Sequence, residues 1–163
     1  MMRKIRRALI SVSNKKNLKP LINTLSKYKV EIISTGGTYE KIRKLGFKCI
    51  ELSKFTNTPE ILDGRVKTLH PKIYGGILNK RNNKKHYKEI KENNYENIDL
   101  IVANFYPFED ALLKKRNHIK IIENIDIGGP TMVRAAAKNY NDVVVICNPS
   151  QYEPFINEIR NNK

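Results

Sequence analysis

The chain has 163 residues, enough for a single folded unit around one hydrophobic core. Its hydrophobic fraction of 40% excludes a disordered chain, and no apolar run approaches the ~20 residues that span a bilayer. The 31 Lys and Arg against 16 Asp and Glu give a net charge of +15, which raises nucleic-acid binding as a function. The lysines, however, are scattered along helical stretches such as 84–91 without interleaved aromatics, so a solvated basic face that steers small anions is the better reading. No nucleic-acid or membrane partner is expected. The basic start, Met1 to Arg7, precedes an apolar stretch too short for a signal peptide. Cys49 and Cys147 fall in apolar runs with no CxxC or Cys/His cluster, so buried free thiols in a cytoplasmic protein are expected, and no metal site.

Arg7 to Ser13 reads as a buried strand ending in small polar residues. Leu18, Leu21, Ile22, Leu25 and Tyr28 follow at helical spacing and predict an amphipathic helix. Val30 to Ile33 is a second strand, Tyr39, Ile42 and Leu45 mark a short helix ended by Gly46, and Phe47 to Leu52 is a third strand. The stretch Asn79 to Lys85, rich in Asn and Lys, is the candidate mobile loop, and His86 to Asn94 reads as a polar helix. Asp99 to Phe105 and Asp142 to Cys147 are strands too apolar for an exposed sheet face. Thr131 to Lys138 is a small-residue helix, and Pro149 to Arg160 a closing helix with Tyr152, Phe155, Ile156 and Ile159 inward. Strands buried on both faces and separated by helices predict an α/β fold, a doubly wound, mostly parallel sheet.

In such sheets ligands bind beyond the carboxyl ends of the strands. Ser34-Thr35-Gly36-Gly37-Thr38 follows a strand and opens a helix, as an anion loop does, although the run also fits a tight turn with a Thr cap. Ser11-Val12-Ser13-Asn14-Lys15 repeats the arrangement after the first strand, where Ser13 or Asn14 also fits a simple N-cap. Arg65, Lys67, Thr68 and His70 crowd one turn between Gly64 and Pro71; the Arg offers a planar fork for phosphate or a carboxamide oxygen and the Lys a point charge. His70 fits a hydrogen-bonded structural histidine as well as a catalytic one; His86 and His118 receive no role. Asn104 ends the strongest strand and can read an amide or base edge, and Tyr106 carries a phenol toward the crevice. The glycines of Ile125-Asp126-Ile127-Gly128-Gly129-Pro130 expose backbone N–H groups at a helix start, with Lys138 projecting from that helix's far end. A carboxylate, a phenol and two lysines at one crevice suggest proton transfer and oxyanion stabilisation.

Six runs in this order resemble the inosine monophosphate (IMP) cyclohydrolase domain of bifunctional purine-biosynthesis enzymes. They are Ser11 to Lys15, Ser34 to Thr38, Gly64 to Pro71, Asn104 to Phe108, Ile125 to Gly129 and Ala135 to Asn139. The resemblance spans Leu9 to about Tyr152 and implies a methylglyoxal-synthase-like fold over residues 1–163, with the transformylase domain absent. It implies cofactor-free closure of 5-formamidoimidazole-4-carboxamide ribotide to IMP and water. The implied catalytic set is Lys67, Tyr106, Asp126 and Lys138, with Lys138 shuttling the proton. Ser13, Asn14, Lys15, Ser34, Thr35, Gly36, Gly37, Thr38, Arg65 and Thr68 would hold the ribotide and its phosphate, Asn104 would read the heterocycle, and Ile127 and Gly128 would supply oxyanion donors. Asn14 stands where relatives usually carry Asp, and Tyr74 where they commonly carry His. A partner transformylase, fused or separate, is implied, and a monomer and a homodimer both stay open. The competing readings are a methylglyoxal synthase and a non-catalytic nucleotide-sensing module of the same fold.

Overall fold

The computed structural model describes residues 4–105, 108–113 and 117–161. Within them, five strands form one all-parallel sheet: β1 (Arg7–Val12), β2 (Glu31–Ser34), β3 (Ile50–Glu51), β4 (Leu100–Asn104) and β5 (Val144–Ile146), in the spatial order β3-β2-β1-β4-β5. The alternation of side chains along a strand explains the two-sided burial. Ala8, Ile10 and Val12 of β1 and Leu100 and Val102 of β4 face one core, whereas Leu9, Ile101 and Ala103 face the other. Helices α1 (Leu18–Lys27), α2 (Gly36–Lys44) and α9 (Tyr152–Asn161) cover the first face. Helices α3 (Leu52–Thr56), α4 (Pro71–Leu78) and α8 (Gly128–Lys138) cover the second. Three helices lie outside these layers, α5 (Lys84–Glu92), α6 (Phe108–Leu113) and α7 (His118–Ile122).

Connections run outward in both directions from the β1–β4 pair, so the order reverses there. That reversal opens a crevice at the carboxyl ends of β1 and β4, the place where doubly wound sheets take ligands.

Several local expectations change. The third strand shrinks to Ile50–Glu51 because Leu52, Phe55 and Thr56 bury a helical turn instead, with the Thr56 hydroxyl donating back to Leu52 O at 3.0 Å. Helix α4 was hidden by its glycine pair, which lowers helix propensity. It forms because His70 caps it, Pro71 fits its first position, and Ile73 and Ile77 meet the core. The stretch 79–85, expected as a mobile loop, carries a set of hydrogen bonds to the surrounding fold. Asn139 Nδ2 donates to Ile77 O and Asn79 O, the Arg81 guanidinium donates to Asn79 O, Gly76 O and Ile98 O, and Lys80 N donates to His86 Nδ1. It also lies beside the amino end of β4, away from the crevice. Both cysteines are only half-buried. Burial still pushes the Cys49 thiol up to about 12, against the opposing pull of Arg43.

Candidate active site

The crevice at the switch point has a volume of about 690 Å³. One wall is the start of α2. Thr35 is extended at φ −137°, and Gly36 follows in the left-handed region at φ 52°, which only glycine enters without strain. That turn aims the first-turn N–H groups of α2 into the crevice, where they and the helix dipole favour an anion. Lys15 crosses from the β1 end to the same point, its Nζ 3.8 Å from where a Cβ of Gly37 would stand. Ser13 lines the crevice beside it, and Lys15 Nζ donates to Ser13 O at 3.3 Å.

Facing this cradle is the basic turn. Arg65, Lys67 and Thr68 all line the crevice. Thr68 is buried, and a Cβ added at Gly128 would collide with its Oγ1, so Gly128 is required by close approach. Arg65 Nη2 donates to Glu123 Oε1 at 2.5 Å, a pair that holds the guanidinium above, and the carboxyl below, their usual pKa values. The third wall is the start of α8. The Asp126 Oδ1 accepts from Gly129 N at 2.9 Å, and Ile127 and Gly128 lie beside the Asp126 carboxylate. Leu62, Ile122, Ile125 and Ile127 give this end of the crevice an exposed apolar lip.

Several expected ligand contacts are committed elsewhere. The Ser34 hydroxyl donates to Ile10 O at 2.6 Å inside the sheet, and Ser34 does not line the crevice. Thr38 lines it, but its hydroxyl donates to Val12 O at 2.9 Å and accepts from Val12 N at 3.1 Å. Asn14 points its Oδ1 at Lys16 N and lies outside the crevice. Asn104 lines the crevice, yet its amide is spent on the Asn14 backbone, accepting from Asn14 N at 2.7 Å and donating to Asn14 O at 2.9 Å. Lys138 is the largest departure. It ends the eleven-residue α8 that Gly128 begins, about 15 Å away at 1.5 Å per residue. There it lines a separate groove of about 540 Å³ with Tyr74, Thr131 and Arg134. A helix running from the crevice carries its last residue away from it. Tyr106 lies outside the described residues. His70 is a cap: its Nδ1 accepts from Lys72 N at 3.1 Å and its Nε2 meets Thr58 Oγ1 at 3.2 Å.

Glu60 and Glu123 escaped the sequence reading. Glu60 Oε1 accepts the Thr35 hydroxyl at 2.5 Å. An acid directly ahead of a basic anion-binding turn was the available signal for Glu60. Glu123 follows a helix of five residues, too short for periodicity to register.

A parallel, doubly wound sheet with a glycine turn and a helix start at its switch point defines the class of α/β domains that place their ligand sites in that crevice. A family profile described as MGS-like domain matches residues 17–131. The chain is 51% identical to the bifunctional purine biosynthesis protein PurH of Acetivibrio thermocellus, over 98% of this chain and 31% of that protein. It is 50% identical to PurH of Bacillus subtilis, over 96% of this chain and 31% of the relative. Among solved structures, that of ForH superposes with a TM-score of 0.83 at 31% identity, covering 96% of this chain and 79% of that one. The chain therefore belongs to the MGS-like domain family, and it spans about a third of the length of the PurH relatives.

Proposed function

We propose that this chain is an IMP cyclohydrolase, closing the ring of 5-formamidoimidazole-4-carboxamide ribotide to give IMP and water without a cofactor. The observation that carries the reading is the lining of one crevice, which brings Lys15, Thr35, Gly36 and Gly37 together with Lys67, Thr68, Asp126 and the Ile127–Gly128 backbone. A ribotide needs both sets, an anion cradle for its phosphate and polar groups for its carboxamide and formyl groups. Its phosphate would sit on the α2 N-terminus and its carboxamide and formyl groups against the α8 start.

In the ring closure the carboxamide nitrogen attacks the formyl carbon, and the carbinolamine so formed loses water. An amide nitrogen is a weak nucleophile, so the formyl oxygen must be polarised. Lys67 and the first-turn N–H groups of α8 would supply that stabilisation. Asp126 would orient the carboxamide with the oxygen not given to Gly129. Tyr106 would complete the polar network. Residues 1–163 would form one cyclohydrolase unit, working in the cytoplasm with a transformylase that supplies the formylated ribotide. Free thiols at Cys49 and Cys147 fit that setting. Among the described residues no helix is long and apolar enough to cross a membrane.

The test is the ultraviolet absorbance change when the purified chain meets the formylated ribotide, with Lys67→Ala as control. Conversion by wild type and not by the variant supports the reading; no conversion overturns it. The position of Lys138 favours one second reading, a nucleotide-binding module without turnover, which would bind IMP tightly and leave the ribotide unchanged.

A further inference from the structure

We propose that Glu60 is a specificity-determining carboxylate of the phosphate cradle, holding the Thr35 hydroxyl and yielding it only to a doubly charged phosphate monoester. The inference rests on the reading above, in which a ribotide phosphate sits on the start of α2.

Thr35 occupies the N-cap of α2 with the extended backbone that normally lets a Thr hydroxyl accept from the helix N–H groups. It makes no such cap. Its Oγ1 donates instead to Glu60 Oε1 at 2.5 Å. The first-turn N–H groups of α2 therefore have no side-chain cap from Thr35, whose hydroxyl is bound by a carboxylate. A phosphate seated on those N–H groups lies next to Thr35 and must take that donor from Glu60. The carboxylate cannot share the position, because two anions on one donor repel.

The chain invests in placing this acid. Glu60 precedes a turn closed by the Ile61–Val66 bridge, in which Leu62, Asp63 and Gly64 follow one another in the left-handed region at φ 54°, 54° and 82°. Leucine rarely adopts that conformation, and such strain gathers at ligand clamps and switch segments. Within the turn, Glu60 Oε2 and Lys67 Nζ both approach Gly64, 3.3 and 3.7 Å from where a Cβ would stand. A side chain there would crowd the acid and the lysine together. Across the crevice Glu123 accepts from the exposed Arg65 guanidinium, so the acid at Thr35 is the one that lies beside the α2 start.

This arrangement sets selectivity by charge. A phosphate monoester brings two charges, three oxygens and the helix dipole's preference, and it outcompetes one carboxylate. A neutral nucleoside or a monoanion does not gain enough to displace it. Removing the acid should strengthen phosphate binding, the opposite sign from losing a structural or ligand-contacting residue.

The experiment is calorimetric titration of IMP, and of inosine as the phosphate-free probe, into wild type, Glu60→Gln and Glu60→Ala at fixed salt. The expected result is IMP binding about tenfold tighter in both variants, equivalent to ~1.4 kcal/mol, with inosine unchanged. Equal or weaker IMP binding by the Glu60 variants overturns the inference while leaving the cyclohydrolase reading standing. A gain shared equally by inosine also overturns it. Failure of wild type to bind IMP overturns the reading and the inference together.

Discussion

The side chain of Asn104 closes a two-bond ring on the backbone of Asn14, accepting from its N–H at 2.7 Å and donating to its carbonyl at 2.9 Å. The ring ties the end of β4 to the loop after β1, across the switch point where the crevice opens. Ser13 and Lys15 flank the clamped residue, so Asn104 fixes the loop that carries them into the crevice. Tyr152 is buried near it, and burial pushes that phenol above its usual pKa against the pull of the Asn104 amide.

Asn104→Asp replaces the donor by an acceptor that faces the Asn14 carbonyl. The expected outcome is a loss of about 1 kcal/mol in stability, the usual net worth of such a bond. Affinity for ribose 5-phosphate should fall as much as affinity for IMP, because the loss lies at the phosphate end. Titration of both ligands checks this. Unchanged ribose 5-phosphate affinity would return Asn104 to reading the heterocycle.

Asp126 has a structural duty beside the chemical one proposed for it, since its Oδ1 accepts the Gly129 N–H at 2.9 Å. Asp126→Asn keeps an acceptor there and should melt within about 1 °C of wild type, whereas Asp126→Ala should lose about 1 kcal/mol, or about 3 °C. If the carboxylate charge serves the ring closure, both variants should lose turnover by about 100-fold or more. An active Asp126→Asn would show that only the acceptor matters. Thermal melts and the cyclohydrolase assay, run on both variants, separate the two duties.

Much of this was legible in the sequence, for identifiable reasons. Strands such as 99–105 announce themselves because burial on both faces leaves no room for polar residues, and β4 follows with Leu100 to Ala103 buried. The strand-to-helix turn at 34–38 was legible from its glycine pair, and Gly36 does enter the left-handed region there at φ 52°. Hydroxyl direction was not, since Ser34 and Thr38 look like ligand contacts until the register of β1 places Ile10 and Val12 beside them. Lys138 was expected at the far end of the helix that the Gly128–Gly129 pair opens, and the structure adds the distance, about 15 Å of helix between it and the crevice.

Cys49 offers a stability test that needs no substrate. Its thiol is held up to about 12 by burial, whereas an unfolded thiol ionises near its ordinary value of about 8.5. The folded state therefore keeps a proton that the unfolded state loses between those values. Stability from this group is fully present below about pH 8.5 and is lost as pH rises toward 12. Urea melts from pH 8 to 11 should show wild type losing stability faster than Cys49→Ala over that interval. Parallel slopes would mean that the thiol ionises equally in both states.

Lys138 and Lys67 divide what the resemblance joined. Lys67 lines the crevice, and Lys138 stands at the far end of α8 among Tyr74, Thr131 and Arg134. The crevice alone should therefore account for binding. Lys138→Ala should leave IMP affinity within about twofold, while Lys67→Ala should weaken it by about tenfold, the loss of one charge-assisted contact. Turnover is the separate readout. If Lys138→Ala converts the formylated ribotide at near the wild-type rate, the proton-shuttling role passes from Lys138 to groups within the crevice. If turnover disappears at unchanged affinity, the lysine must arrive from a second copy of the chain, because about 15 Å of helix separates it from its own site. Mixing Lys138→Ala with Lys67→Ala then decides the matter. A shared site would regain activity in the mixed dimer, whose one competent crevice takes Lys67 from one copy and Lys138 from the other.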